Sequence, residues 1–284
     1  MDDMTPALRL DGVELRRYGR TILTDVNLTV PRGGKWILFG PNGIGKSSLV
    51  RMMSSRGFPS QGTVDILGNR LGKVNVFSYR HRIGLCSAEL QRSLPAFEDP
   101  LDAVVTALTA TTGRWKDTYG EDDYAQARLL MRRFGIEYLI GKQMANLSEG
   151  ERTRVMICRA LMADADLLIL DEPTTGLDLG GRETTLHALD QLGTQGDGRT
   201  VVVVTHRLEE IPAGFDHVAI MGRTQGNEAD AMANRVAGTD PAPGTIVYAG
   251  DLDHGFTSAR LSALFGLDLT VHHDGGRWAA WARP

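Results

Sequence analysis

From residue 7 to residue 30, apolar and polar residues alternate with a period near two: Leu8 and Leu10, Val13 and Leu15, then Ile22, Val26, Leu28 and Val30. Such alternation marks strands with one buried face. The break at Tyr18-Gly19-Arg20 makes them arms of an antiparallel sheet. Pro31-Arg32-Gly33-Gly34 then turns the chain into an unbroken apolar run, Trp36 to Phe39, which predicts a strand over Lys35 to Phe39. Glycine-bounded runs predict further strands at Gly62 to Gly68 and Ile83 to Cys86. Between Leu101 and Met162 the period lengthens. Leu101, Val104, Val105 and Leu108, then Ala127, Leu130, Met131 and Phe134, recur at helical spacing. This predicts a helical subdomain, over about residues 89–164, inserted in an α/β core, with Pro95 and Pro100 interrupting regular hydrogen bonding at its entrance. Apolar runs return at Leu167 to Leu170 and Val201 to Val204, as in parallel strands buried on both faces, with an amphipathic helix expected from Arg182 to Leu192.

Beyond Ile220 the pattern weakens. Residues 222–244 are rich in Gly, Ala, Asn, Asp and Pro and read as a flexible loop, with a short helix from Ala229 to Val236 as the alternative. A compact tail follows: a strand at Thr245 to Ala249, a helix at Thr257 to Phe265, and a hairpin of Leu267 to Val271 with Arg277 to Ala282 around Asp274-Gly275-Gly276. His272 and His273 are adjacent, so on a strand they face opposite ways and form no metal pair.

The candidate chemistry sits where these elements end. Gly40-Pro41-Asn42-Gly43-Ile44-Gly45-Lys46-Ser47-Ser48 lies between a strand and the apolar start of a helix at Leu49. Its G-x-x-x-x-G-K-S spacing fits a phosphate-binding loop, because glycines let backbone N–H groups converge on phosphate oxygens. Lys46 would reach the terminal phosphates, Ser47 would place its hydroxyl on Mg²⁺, and the helix N-terminus would add its dipole. The plain alternative is a glycine-rich turn. In Leu147-Ser148-Glu149-Gly150-Glu151, Ser148 and Glu151 form a capping-box pattern. That is either a capped helix or a second anion site, with Ser148 and Gly150 presenting polar groups. Asp171 and Glu172 close an apolar strand, where open α/β sheets bind ligands. Asp171 suits Mg²⁺ and Glu172 suits proton abstraction from water, against the alternative of a solvated strand end. His206 follows a core strand and is either a surface residue or a γ-phosphate sensor. Tyr18, in a polar bend, either packs partly exposed or stacks on a base.

Composition narrows the classes. The chain has 284 residues, 42% hydrophobic and 23% charged, enough for one large α/β domain or two smaller ones. A net charge of −4 argues against nucleic acid as the main partner. No apolar run reaches the roughly 18 residues of a membrane span. Met1-Asp2-Asp3-Met4 does not resemble a secretory signal, so a cytoplasmic location is expected. Cys86 and Cys158 form no disulfide framework or metal spacing and read as core residues.

Taken in order, these motifs resemble the ATP-binding cassette (ABC) ATPase family over residues 7–222, leaving 223–284 as a loop and small α/β C-terminal extension. Gly40 to Ser48 is similar to its Walker A loop, Leu147 to Glu151 to its signature loop, Leu167 to Glu172 to Walker B, and Thr175-Gly176-Leu177-Asp178 to the D-loop. The signature loop discriminates most, since many nucleotide hydrolases carry the first and third motifs alone. The resemblance implies a P-loop NTPase (RecA-like) core with an N-terminal antiparallel β subdomain and an inserted helical signature subdomain. It also implies Tyr18 on adenine, His206 as the switch histidine, and Lys46, His206 and Glu172 acting on the γ-phosphoryl group. It further implies ATP and Mg²⁺ as ligands, Asp178 near the nucleotide, and a homodimer in which Ser148 and Gly150 reach the partner's ATP. A separate membrane permease would be driven from the inner face of the membrane. A weaker likeness of the C-terminal tail points to import ATPases. Two departures stand out: LSEGE replaces the usual LSGGQ, and Ala88 stands where the family places a glutamine that contacts Mg²⁺ and couples to the permease, with Gln91 nearby. The second departure raises the alternative of a soluble ABC ATPase that remodels a protein or nucleic acid.

Overall fold

The computed structural model describes residues 5–114, 117–163, 165–192 and 198–283. The chain divides into two compact units, one built from residues up to Val74 and from Val204 onward, the other from Asn75–Val203.

The first unit begins with β1 (Leu8–Arg17), β2 (Arg20–Val30) and β3 (Lys35–Phe39), then α1 (Lys46–Met53), β4 (Gln61–Ile66) and the short β5 (Asn69–Arg70). β1 pairs antiparallel with both β2 and β4, giving the expected antiparallel portion. Its inward residues switch from Leu8 and Leu10 to Val13 and Leu15, all buried, because the register shifts between Leu10 and Val13. Gly12 adopts a φ of 56° there and its N–H is taken by Asn27 Oδ1, the geometry of a β-bulge. The two arms join at Tyr18 and Gly19, with φ of 51° and 77°, a tight primed turn that matches strand twist.

The second unit holds β6 (Ile83–Cys86), α2 (Ala88–Ser93), α3 (Pro100–Val105), α4 (Glu121–Arg133), α5 (Glu149–Met162), β7 (Leu167–Asp171), α6 (Leu179–Gln191) and most of β8 (Thr200–Thr205). β6 and β7 pair in parallel, and β7 is buried up to Leu170. The expected run of helices is present, with Pro100 in the first turn of α3 and Asp99 capping it. Gly84 lets α5 approach β6 closely: a Cβ there would lie 2.4 Å from the Ala160 carbonyl oxygen. Arg159 of α5 is buried and donates to Thr106 Oγ1 and to the carbonyls of Ala103 and Thr111, tying α5 to α3 and the loop after it.

The chain then returns to the first unit through β9 (His217–Arg223), α7 (Glu228–Val236), β10 (Gly244–Asp251), α8 (Leu252–Gly255), α9 (Ser258–Phe265), β11 (Leu269–Asp274) and β12 (Arg277–Ala282). Within this unit the strand order is β5-β4-β1-β2-β10-β9-β3. β3 and β9 are parallel, β9 and β10 antiparallel. Of the two readings of residues 222–244, the short helix is present: α7 runs Glu228–Val236 against the expected Ala229 to Val236, with Asn227 and Asp230 forming its capping box. One expectation is corrected. The strand expected at Thr245 to Ala249 is longer and lies inside the main sheet between β2 and β9, so the compact tail proper begins at α8. Phe39 of β3 meets Phe256 and Phe265 edge-on, which packs that tail onto the sheet. His272 and His273 stack on Trp281 and Trp278 across the β11–β12 hairpin.

Candidate functional site

In the first unit, β3 delivers Gly40 and α1 begins at Lys46, so the nine-residue motif forms the strand-to-helix turn that its flanks predict. Gly43 and Gly45 take φ of 75° and 113°, a region that disfavours any side chain. Space reinforces the requirement. A Cβ on Gly40 would stand 2.9 Å from the Met221 carbonyl oxygen, and one on Gly45 2.5 Å from Leu23 Cδ2. Pro41 and Ile44 are buried and fix the loop from below, while Asn42, Gly43 and Ser47 face solvent and Ser48 is half-buried. Lys46 is buried, and its ammonium donates to the carbonyl oxygens of Gly40 at 2.7 Å and Pro41 at 3.0 Å. The lysine thus bends back along its own loop, holding a cation at the start of the helix, the end that favours an anion.

Tyr18 sits at the tip of the β1–β2 turn and is fully exposed. The β2 residues that follow it, Ile22 and Leu23, line the space beside Gly45, so the turn and the loop share a scaffold. His206, half-exposed, is set in a turn that the sequence reading did not find. Thr205 Oγ1 accepts from Arg207 N at 3.1 Å and donates to Glu210 Oε2 at 2.7 Å. Glu210 is buried and also receives Arg207 Nη1 at 3.4 Å, so a buried carboxylate fixes the residues on both sides of the histidine. Nothing local in the sequence marks Glu210 as different from exposed Glu209.

In the second unit, Asp171 ends β7 and Glu172 follows it with φ of 50°, a conformation that costs a non-glycine residue about 1–2 kcal/mol. The turn is tied by Thr175, whose N–H donates to the Glu172 carbonyl at 3.1 Å and whose hydroxyl approaches Glu172 Oε2 at 3.5 Å. Asp171 lies close enough to Cys86, at the end of β6, to help keep that thiol neutral. Burial first, and the Asp171 charge second, push its pKa up to about 12. Burial also raises the Cys158 thiol, so both cysteines are inert packing groups.

Ser148 caps α5: its hydroxyl accepts from Glu151 N at 3.2 Å, and Glu151 Oε2 accepts from Ser148 N at 2.7 Å. That backbone bond is the main cause holding the Glu151 carboxyl below its ordinary value. The signature segment packs on the 175–178 turn of the same unit. A Cβ on Gly150 would stand 2.9 Å from the Gly176 carbonyl oxygen, and Thr153 Oγ1 donates to the Thr175 carbonyl at 3.2 Å. Glu149, which replaces a glycine of the usual motif, lays its stem over Gly176, whose φ of 77° and missing side chain make room for it. Asp178 caps α6 by accepting from Gly181 N at 2.7 Å. The structure therefore brings Ser148 and Gly150 together with the 175–178 turn in one unit, while the phosphate loop, Tyr18 and His206 belong to the other.

A model of the ABC transporter family matches residues 23–175. The ABC transporter ATP-binding protein YlmA of Bacillus subtilis is 37% identical over 266 residues, spanning 93% of this chain and 92% of its own length. The nickel import ATP-binding protein NikO of Rhodobacter capsulatus is 30% identical over 248 residues, 84% of this chain and 91% of the relative. Among solved structures, the dimeric post-hydrolysis state of the ATP-binding cassette MJ0796 bound to ADP and Pi superposes with a TM-score of 0.69 at 22% identity. It covers 86% of this chain and 98% of the cassette, a likeness of fold.

Proposed function

Because the chain belongs to the ABC transporter ATPase family and is the ATP-binding, ATP-hydrolysing subunit of such a system, we propose how its residues divide that work. The observation that carries the reading is the preformed loop. Gly43 and Gly45 hold conformations that open backbone N–H groups, and the Lys46 ammonium waits on two loop carbonyls that phosphate oxygens can replace.

Lys46 and the N–H groups of residues 40–48 hold the phosphates, and Tyr18 stacks on the adenine. The Ser47 hydroxyl and Asp171 carboxylate are hard oxygen donors of the type Mg²⁺ takes alongside phosphate oxygens, so these two residues would hold it. The ion would neutralise charge developing on the phosphoryl oxygens. Glu172 orients and deprotonates the attacking water, while His206 stabilises charge on the γ-phosphoryl group. Ser148 and Gly150, kept in place by the 175–178 turn, contact the nucleotide of a second copy of the chain, with Asp178 at the same seam. ATP binding closes that homodimer and hydrolysis reopens it, a two-state switch driven by differential affinity. The switch drives a separate membrane permease at the inner face of the membrane. Among the described residues no helix is long and apolar enough to cross a bilayer itself. In this scheme the cassette takes in β10, which lies in its main sheet, and the extension is the tail from α8 onward.

Titration with a fluorescent ATP analogue tests the site: Lys46→Ala should greatly weaken binding, and unchanged affinity refutes the loop assignment. Purification from native membranes tests the partner. Co-isolation with a multi-span subunit supports the permease, and recovery as a clean soluble pool overturns it.

A further inference from the structure

The β9–β10 hairpin is closed by the pair Arg223↔Gly244, so its connection runs from residue 224 to residue 243. Ordinary β-hairpin connections take about two to five residues, and longer ones are usually functional. This connection carries α7, and it leaves the sheet at the end of β9 beside the phosphate loop. Its charges are arranged around Gly43. Arg223 is almost wholly buried; its Nη1 donates to the Ala242 carbonyl at 3.0 Å and its Nη2 reaches the Gly43 carbonyl at 3.5 Å. Its Nε is buried without a hydrogen-bond partner. Glu228 accepts from Arg235 Nη1 at 3.0 Å on Oε1, and its Oε2 forms an ion pair with Arg223 Nη2 at 3.5 Å. The second guanidinium nitrogen of Arg235, Nη2, lies 3.5 Å from where a Cβ on Gly43 would stand. Farther along, Asp240 pairs with Arg20 at 2.8 Å, which ties the connection to the turn that carries Tyr18.

Two guanidinium groups, Arg223 and Arg235, thus stand beside Gly43 of the phosphate loop and share the Glu228 carboxylate, while Arg20 and Asp240 pair with each other farther out. Burial first, and the neighbouring Arg235 and Arg20 charges as well, hold the Arg223 guanidinium below its ordinary pKa. Two cations that share one carboxylate are stabilised by a further anion. Arg223 is committed to the loop backbone and Arg20 to Asp240, whereas Arg235 is 43% exposed and turns one nitrogen toward Gly43. α7 is held in place from behind: Asn227 and Ala229 pack against Gly266 at the end of α9. The tail of the chain therefore braces the helix that presents Arg235.

We infer that the 224–243 connection is a nucleotide-facing element whose Arg235 donates to the phosphates of ATP held by the loop, with Glu228 as the carboxylate that restrains it in the absence of nucleotide. The inference rests on the phosphate-loop reading and adds to it a phosphate-binding residue from a segment outside the matched residues 23–175.

The test is titration of the purified full chain with fluorescent ATP, ADP and AMP analogues, with a thermal melt for each variant. Arg235→Ala should weaken ATP about tenfold, the scale of one charge-assisted hydrogen bond, and leave AMP nearly unchanged. Arg235→Lys should recover part of the loss. Glu228→Gln should act in the opposite direction and tighten ATP, most visibly at low salt, which general destabilisation cannot imitate. Equal weakening of ATP and AMP, no change in Arg235→Ala, or weaker ATP binding in Glu228→Gln each overturns the inference. Lys46→Ala is measured alongside. If it abolishes ATP binding while Arg235→Ala has no effect, this inference alone fails; if it leaves binding intact, the phosphate-loop reading itself has failed.

Discussion

Replacing Gly45 with alanine isolates what the phosphate loop demands of its backbone. Gly45 has φ 113° and ψ 8°, and the new Cβ would stand 2.5 Å from Leu23 Cδ2 and 3.2 Å from Leu23 Cγ. The backbone term is the left-handed penalty of an L-residue, about 1–2 kcal/mol. The contact term follows from distance, since carbon atoms rest at about 3.5–4.0 Å and the gap must therefore open by about 1 Å. Leu23 cannot yield cheaply: it is fully buried and lies in β2 opposite Leu15, with Gly244 of β10 on its other side. Overpacking of this kind costs about 1–3 kcal/mol. The sum, about 2–5 kcal/mol, is a large share of a typical folding free energy of about 5–15 kcal/mol, so the variant should fold with a clearly lower Tm and weakened ATP affinity. Gly43→Ala is the internal standard. Its φ is also positive, but the new Cβ meets only Arg235 Nη2 at 3.5 Å, an ordinary contact with a flexible side chain. It should lose about 1–2 kcal/mol, the backbone term alone. Denaturant titrations of both variants, and of Gly45→Ala with Leu23→Ala, separate the terms, because removing Leu23 Cδ2 should relieve part of the Gly45→Ala loss. Equal losses for the two glycines, or strict additivity with Leu23→Ala, would refute the steric argument.

Glu172→Gln should abolish steady-state phosphate release while retaining ATP binding, and should shift the chain to a dimer by size-exclusion chromatography with ATP; continued turnover sinks the general-base assignment. Glu210→Ala removes the acceptor of Thr205 and should cost about 1–3 kcal/mol of stability, with kcat falling and KM little changed as the His206 turn loosens; an unchanged kcat would show that the turn does not position the histidine. Cys86, with its pKa raised from 9.0 to about 12 in the folded chain, contributes stability that is fully present below the unfolded value and is lost as pH rises toward the folded one. Stability should therefore fall from about pH 9 upward, by up to ~1.4 kcal/mol per pH unit per thiol, and both cysteines should resist a thiol reagent at pH 8 until the chain is unfolded. Rapid labelling of the native protein at pH 8 would contradict the buried environment.

Local signals carried much of the architecture. The strands at Lys35–Phe39, Ile83–Cys86 and Thr200–Thr205 end where their apolar runs end, because burial on both faces leaves a run with no ambiguity of register. The order and spacing of the four motifs, from Gly40 to Asp178, are local features that one sequence carries. What stayed hidden depends on partners distant in sequence. At α7 the sequence left loop and helix open; the helix is set by its own capping box, by Glu228 pairing with Arg223 and Arg235, and by the end of α9, and only the first of these is local. β10 reads as part of a tail because its partners, β2 and β9, come from different stretches of the chain. The bulge at Gly12 moves the buried face by one residue, which alternation records but does not explain until Asn27 is seen to take the Gly12 N–H.

Ala88 stands where a glutamine is usual in the family. It opens α2, just after Ser87, whose hydroxyl accepts from Leu90 N at 3.2 Å and so fixes the helix start next to Cys86 and, through it, near Asp171. An alanine there ends at Cβ and offers nothing to a metal or a partner. Gln91 lies three residues on, half-buried, in the same helix. Residues three apart share a face, and helical side chains lean back toward the N-terminus, covering the turn before them. The axial separation of about 4.5 Å is within reach of a glutamine side chain leaning that way. Gln91 is thus placed to bring an amide over position 88, so the chain can keep the group while moving its anchor by one turn. On that account Gln91→Ala should lower ATP turnover and Ala88→Gln in the same chain should restore it. If Gln91→Ala leaves turnover untouched, the glutamine has been dispensed with, and this chain hydrolyses ATP without it.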